Sequence, residues 1–183
     1  MVGVQSLSPE ILAQQIERIT TSLSQIGVTY EGRRVLVTGG AGFLGSWICD
    51  VLVSQGSRVI CIDNFASGSR ENIAHLSMKK GFSLIEHDIT EPIRFREKID
   101  LVMHLASRAS PLEFTNFPIQ ILKANTLGIW VSLGIAKQHK AKLLFTSTSE
   151  VYGDPAEGKI PTPESYNGNV NPTGLRGCYD EAK

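Results

Sequence analysis

The hydrophobic rhythm of the chain changes at residue 33. Before it, Ile11, Leu12, Ile16, Ile19, Leu23 and Ile26 recur at three- and four-residue spacing, which is one apolar stripe on a helix. Ser8-Pro9-Glu10 predicts the start of that helix: a capping serine, a proline at the first helical position, and an acid at the positive end of the dipole. Gly27 predicts its stop. Beyond Arg33 short apolar runs alternate with longer amphipathic stretches. Residues 35–38, 58–62, 82–86, 101–105 and 142–146 predict five strands. A helix is expected between the first two strands, ending near residue 53, and a long one over 116–138 before the fifth. Strands spaced by helices in this way imply right-handed crossovers and an α/β class, doubly wound parallel sheet. Residues 153–178 are rich in Pro, Gly and Asn and predict a long functional loop. The expected organisation is a helical extension over 1–31, packed on the domain or on a partner, and one α/β domain over 32–183.

Composition narrows the partners. Lys plus Arg and Asp plus Glu stand at 18 each in 183 residues, so there is no basic excess for a nucleic-acid backbone. An anionic ligand must then be held locally, by backbone amides and a few placed cations. Cys49, Cys61 and Cys178 lack CxxC spacing and are odd in number, which predicts reduced, buried or half-buried thiols and no metal. The N-terminus has no basic stretch followed by an apolar core, and no apolar run approaches the ~20 residues of a membrane span. A cytoplasmic protein with no membrane partner is expected.

The first predicted strand runs into Gly39-Gly40-Ala41-Gly42-Phe43-Leu44-Gly45. Gly40, Gly42 and Gly45 satisfy GxGxxG, and Gly39, Gly42 and Gly45 satisfy GxxGxxG. Such a turn lets a pyrophosphate approach the backbone and meet the positive end of the following helix. Asp63 ends the second strand, where a carboxylate accepts both ribose hydroxyls and repels a 2′-phosphate, favouring NAD over NADP. Arg70 follows in the next loop, a cation that would suit a 2′-phosphate. Asp88, after the third strand, suits either an adenine edge or a helix cap.

Tyr179 and Lys183 form YxxxK, and four residues apart on a helix they share a face. An ammonium beside a phenol stabilises the phenolate, which makes the tyrosine a base for a hydroxyl proton. The fifth strand leads into Thr146-Ser147-Thr148-Ser149-Glu150-Val151-Tyr152-Gly153 at the carboxyl edge of the sheet. There Thr148 offers a hydroxyl to a sugar oxygen. Glu150 is either a second acid/base or a surface acid, and Tyr152 is expected to pack.

Together TGGAGFLGS, IDNF, HDITEP, HLASRASP, STSEVYGDP, NPTG and CYDEAK resemble the UDP-glucuronate decarboxylases (UDP-xylose synthases). These belong to the extended short-chain dehydrogenase family, with the sugar-nucleotide epimerases and dehydratases. The resemblance runs from about Arg33 to Lys183 and implies a Rossmann-type fold with bound NAD. It also implies a cycle in which Tyr179, assisted by Lys183, takes the sugar C4 proton as hydride leaves C4. The resulting β-keto acid loses carbon dioxide and the hydride is returned. By the same resemblance Thr148 positions the C4 oxygen, Glu150 assists proton handling and Lys123 contacts the UDP-sugar. Cofactor contacts are implied for Gly42, Phe43 and Leu44 in the turn, and for Asp63, Asn64, Phe65, Ser67 and Gly68 after the second strand. Asp88, Ile89, Leu105, Ser107, Tyr179 and Lys183 complete that set. Relatives of this type pair as homodimers through the long helix and the one bearing YxxxK.

Three departures accompany the resemblance. Arg108 stands where the family pattern has proline, placing a cation near the pyrophosphate or the sugar acid; Ala124 replaces a threonine and Val131 an asparagine. The part of the family that completes the sheet and the sugar pocket is expected to lie outside this chain. A 4,6-dehydratase is disfavoured, because Ser149 stands where such enzymes carry aspartate. A sugar-nucleotide 4-epimerase and a non-catalytic nucleotide-binding module are the alternatives.

Overall fold

The computed structural model describes residues 8–183, so the first seven residues of the expected extension lie outside the described residues. Helix α1 spans Pro9–Gln25, and the Ser8 hydroxyl accepts from the Ile11 amide as the sequence predicts. The helix lies on α2 (Phe43–Ser54), yet none of its residues is buried, and Ile11, Ile19 and Ile26 face outward.

Five parallel strands follow: β1 (Arg34–Thr38), β2 (Arg58–Asp63), β3 (Phe82–Glu86), β4 (Leu101–His104) and β5 (Lys142–Phe145). Their order is β3-β2-β1-β4-β5, with Val35 level with Val59 on one side and Leu101 on the other. Alternation along β1 decides which helix each side chain meets. Val35 and Val37 join Cys49, Leu52 and Cys61 beneath α2. Leu36 joins Ile62, Ile99 and Val102 beneath α4 (Pro118–His139), with Val131 and Ile135 from that helix. Both faces are covered, which is why β1 reads as an unbroken apolar run. Cys49 and Cys61 are free buried thiols and Cys178 is half-buried, as expected.

Strand limits agree with the predicted ones to within one residue and the long helix to within two, but the region before that helix was not foreseen as helical. It holds α3 (Pro111–Asn116), parted from α4 at Phe117. Proline disfavours a helical residue before it, and Phe117 accordingly leaves the helical region at φ −135°, ψ 44°. The expectation about apolar runs also needs correction. At 22 residues and a mean hydropathy of 1.3, α4 is long and apolar enough to cross a membrane. Here it lies against β4 and β5, with Asn125 and Ser132 on its buried face.

Candidate active site

Strand order reverses direction between β1 and β4, and ligand crevices open at the carboxyl ends of such a pair. A cleft of about 640 Å³ opens there. Its floor is the turn from β1 into α2. Gly39 holds φ 72°, and a Cβ at that position would sit 2.7 Å from the Ala106 amide nitrogen. A Cβ on Gly45 would overlap the Gly39 carbonyl oxygen and lie 2.7 Å from Gly40 Cα. The turn therefore admits only glycine at these two places. Gly42 caps α2 with no side-chain hydrogen bond, so the first-turn amides beside Phe43 and Leu44 are left for a ligand.

Asp63 makes the wall on the β2 side. It is 8% exposed, and its carboxylate accepts from the Ala41 amide (2.9 Å) and the Phe65 amide (2.8 Å). Those bonds fix its aim, leaving the remaining lone pairs for a diol. Arg70 is occupied: its guanidinium pairs with Glu86 and lies 4.1 Å over the Phe65 ring. Asp88 accepts from the Asn64 side-chain amide at 3.0 Å and from the Thr90 amide at 2.9 Å. Partial burial pushes its carboxyl up, but the bonds from Thr90 and Asn64 outweigh this and hold it below the usual carboxylate range.

The β5 side carries the YxxxK pair. Tyr179 is 6% exposed and stacks on Phe114 of α3, with ring centres 4.8 Å apart. Helix α5 is a single turn, Gly177–Asp180, so Lys183 falls past its assigned end. The Lys183 amide still bonds the Tyr179 carbonyl (3.1 Å), which keeps the helical spacing. Its ammonium donates to the Thr146 carbonyl at 2.7 Å and stands 5.7 Å from the Tyr179 ring centre. Burial pushes that ammonium down to about 8.

Of the cofactor contacts expected in the glycine turn and in the Asp63 and Asp88 segments, all but Phe65 line this cleft, as do Leu105, Ser107, Arg108, Lys123, Tyr179 and Lys183. Thr148 and Glu150 do not line it either. Thr148 caps a 3-10 turn over Ser149–Tyr152, and that turn delivers Glu150 to an ion pair with Arg176. Tyr152 packs beside Tyr166, in keeping with its expected role. Arg108 lines the cleft with its guanidinium already engaged, and Val131 faces the core.

Sequence reasoning missed Gln120, Thr146 and Ser147 in the walls, and His104 beneath them. His104 is buried, with Nδ1 within hydrogen-bond reach of Thr38 Oγ1 (2.8 Å) and Ser132 Oγ (3.1 Å). Burial, reinforced by the Lys183 cation, pushes it down to about 4, so the ring is neutral. Its position as the last residue of β4, pointing at the carboxyl edge, was the available signal.

The sequence profile described as "NAD dependent epimerase/dehydratase family" matches residues 35–183. The chain belongs to that family. NAD is its cofactor, and the residues fit one: a glycine cradle that a Cβ would fill, uncapped amides at a helix start, and a pinned carboxylate at the end of β2. Among relatives, UDP-glucuronic acid decarboxylase 1 of Arabidopsis thaliana is 48% identical over 158 residues, which cover 86% of this chain and 35% of that protein. UDP-glucuronic acid decarboxylase 1 of Xenopus tropicalis is 48% identical over 151 residues, covering 82% and 35%. The chain thus spans about a third of the length of these relatives. The solved structure of Thermus thermophilus UDP-glucose 4-epimerase in complex with NAD superimposes with a TM-score of 0.63 at 30% identity, covering 82% of this chain and 47% of that one.

Proposed function

We propose that this chain is the NAD-binding part of an enzyme that decarboxylates UDP-glucuronate to UDP-xylose through a 4-keto sugar. The observation that carries the proposal is the meeting of Tyr179 and Lys183 with the glycine turn and Asp63 around one cleft. That arrangement serves reversible oxidation of a hydroxyl, and similarity to UDP-glucuronic acid decarboxylases supports UDP-glucuronate as the substrate.

The glycine turn and the first amides of α2 would hold the pyrophosphate of NAD, and Asp63 its adenosine ribose. When bound, NAD supplies a hydride acceptor that is restored within each turnover. Tyr179, fixed by its stack on Phe114, takes the proton of the C4 hydroxyl as C4 is oxidised. Lys183, tethered to the Thr146 carbonyl, keeps positive charge on the tyrosine's side of the cleft and stabilises the phenolate. Oxidation makes the sugar acid a β-keto acid: the C5–C6 bond breaks, carbon dioxide leaves, and the enolate left behind takes a proton from water at C5 before the hydride returns to C4. Tyr179 then returns its proton to the C4 oxygen. Lys123 reaches the same cleft from α4, where it meets the sugar nucleotide.

A protein carrying this chain at the full length of its relatives should release carbon dioxide from UDP-glucuronate without net NADH. Tyr179→Phe should lower turnover by about 10²–10⁴-fold while NAD affinity stays within a few-fold. The structural likeness to 4-epimerases favours a second reading, C4 inversion. Inverted product without carbon dioxide would establish that instead.

We also propose a homodimer. Ile119, Leu122, Leu127, Trp130 and Leu133 form an exposed apolar face on α4, a surface of the kind a second copy covers. Trp130→Glu should shift the sedimenting species toward monomer. A wild-type monomer at every concentration would rule the pairing out.

A further inference from the structure

Arg108 is built into the mouth of the cleft in a way the proposed chemistry does not use. Its guanidinium pairs with Glu113 of α3, donates from Nη2 to the Ala66 carbonyl at 2.8 Å, and lies 4.4 Å over the Phe117 ring. Arg108 follows β4 and Ala66 follows β2, while β1 lies between those strands. Neighbouring strands stand about 4.8 Å apart, so this one side chain crosses a gap of roughly 10 Å over the end of β1. The glycine turn begins at that end.

The three contacts are mutually supporting. Arg108 and Glu113 side chains are only 16% and 22% exposed, which places the pair above the value of an open surface ion pair. The planar guanidinium can serve a carboxylate, a carbonyl and an aromatic face at once, which a lysine cannot. The Ala66 carbonyl belongs to the segment that follows Asp63, where Asn64, Ser67 and Gly68 line the cleft.

We propose that Arg108 is a strap that closes the β2 loop onto the β4 loop over the bound dinucleotide and sets how slowly NAD leaves. This rests on the NAD reading of the cleft. A dinucleotide running from Asp63 across the glycine turn toward Tyr179 passes beneath the strap. Leaving then requires Arg108 to release Ala66, so the strap acts on dissociation more than on encounter. Arg108 is thereby a positioning residue, with its charge satisfied by Glu113 rather than by a phosphate.

Arg108→Met keeps the aliphatic stem and its packing but removes the donors, and Glu113→Gln removes the anchoring charge. In both variants NAD should dissociate about ten-fold faster in stopped-flow displacement. Amide hydrogen exchange over residues 64–68 of the NAD-free protein should rise about ten-fold, with the central strands unchanged and the melting temperature within about 2 °C. Unchanged exchange at 64–68, unchanged dissociation from a protein that binds NAD, or a uniform rise across the sheet would overturn the strap. If the wild type binds no NAD, the cofactor reading fails, and exchange at 64–68 alone decides whether the strap exists.

Discussion

The two walls of the cleft are made differently. On the β1–β2 side Val35, Leu36, Val37 and Thr38 are completely buried, and the binding surface is backbone held in place by packed strands. On the β5 side the strand alternates exposed and half-buried residues, and the functional groups depend on a few side-chain contacts. Those are the stack of Tyr179 on Phe114 and the bond from Lys183 to Thr146; outside the cleft, the segment after β5 is held by the ion pair of Glu150 with Arg176. A surface made of backbone has no spare conformations, so a change there reaches folding and binding together. A surface made of side chains can lose its chemistry while the fold stands.

The largest expected effect tests the rigid wall. Gly45→Ala forces a methyl group into the Gly39 carbonyl and the Gly40 backbone, neither of which is a flexible side chain. Unfolding free energy should fall by about 3 kcal/mol or more, with NAD binding lost in the same protein. An alanine variant of wild-type stability and affinity would show that the turn is not closed.

Next comes Asp63→Ala, which removes the acceptor for the Ala41 and Phe65 amides as well as the ribose contact. NAD affinity should drop by roughly 1.5–3 kcal/mol, the worth of a charge-assisted bond, and discrimination against NADP should shrink. Titration of both dinucleotides into the variant measures the two effects separately.

On the softer wall, Lys183 gives a pH signature. Its ammonium sits at about 8 in the folded chain against an ordinary 10.5, through burial. Between these values the unfolded chain binds more protons, so stability should rise as pH climbs from about 8 toward 10.5. Below about 8 the cost of burying the cation is fully present. Urea unfolding across that range should show the rise in the wild type and a flatter profile in Lys183→Met. Equal slopes would mean the ammonium is not desolvated.

The smallest effect belongs to Glu150→Gln. Its pair with Arg176 is partly exposed, at 34% and 47%, so stability should change by only about 0–1 kcal/mol. A larger loss in chemical or thermal unfolding would mean the segment after β5 is stiffer than the pair's exposure indicates.

The same contrast explains what the sequence disclosed. The rigid wall was legible because local rules write it: a short apolar run over residues 35–38, three spaced glycines, and an acid where β2 ends. Strand ends moved by a residue at most. Legibility failed where long-range partners decide. Glu150 is turned toward Arg176, twenty-six positions along, by a 3-10 turn whose course no spacing announces. Arg108 was expected to offer a free cation, but Ala66, Glu113 and Phe117, drawn from three segments, take it up. The break at Phe117 did leave a trace, since Pro111 and Pro118 each stand at a first helical position. At six residues α3 is too short to show an apolar period of its own.

The most direct measurement is calorimetric titration of the 183-residue chain with NAD and with NADP. If the β1–β2 wall, with Tyr179 and Lys183 opposite, is a finished dinucleotide site, NAD binds saturably at one site per chain and more tightly than NADP. No binding of either by a folded chain, or tighter binding of NADP, would contradict the account.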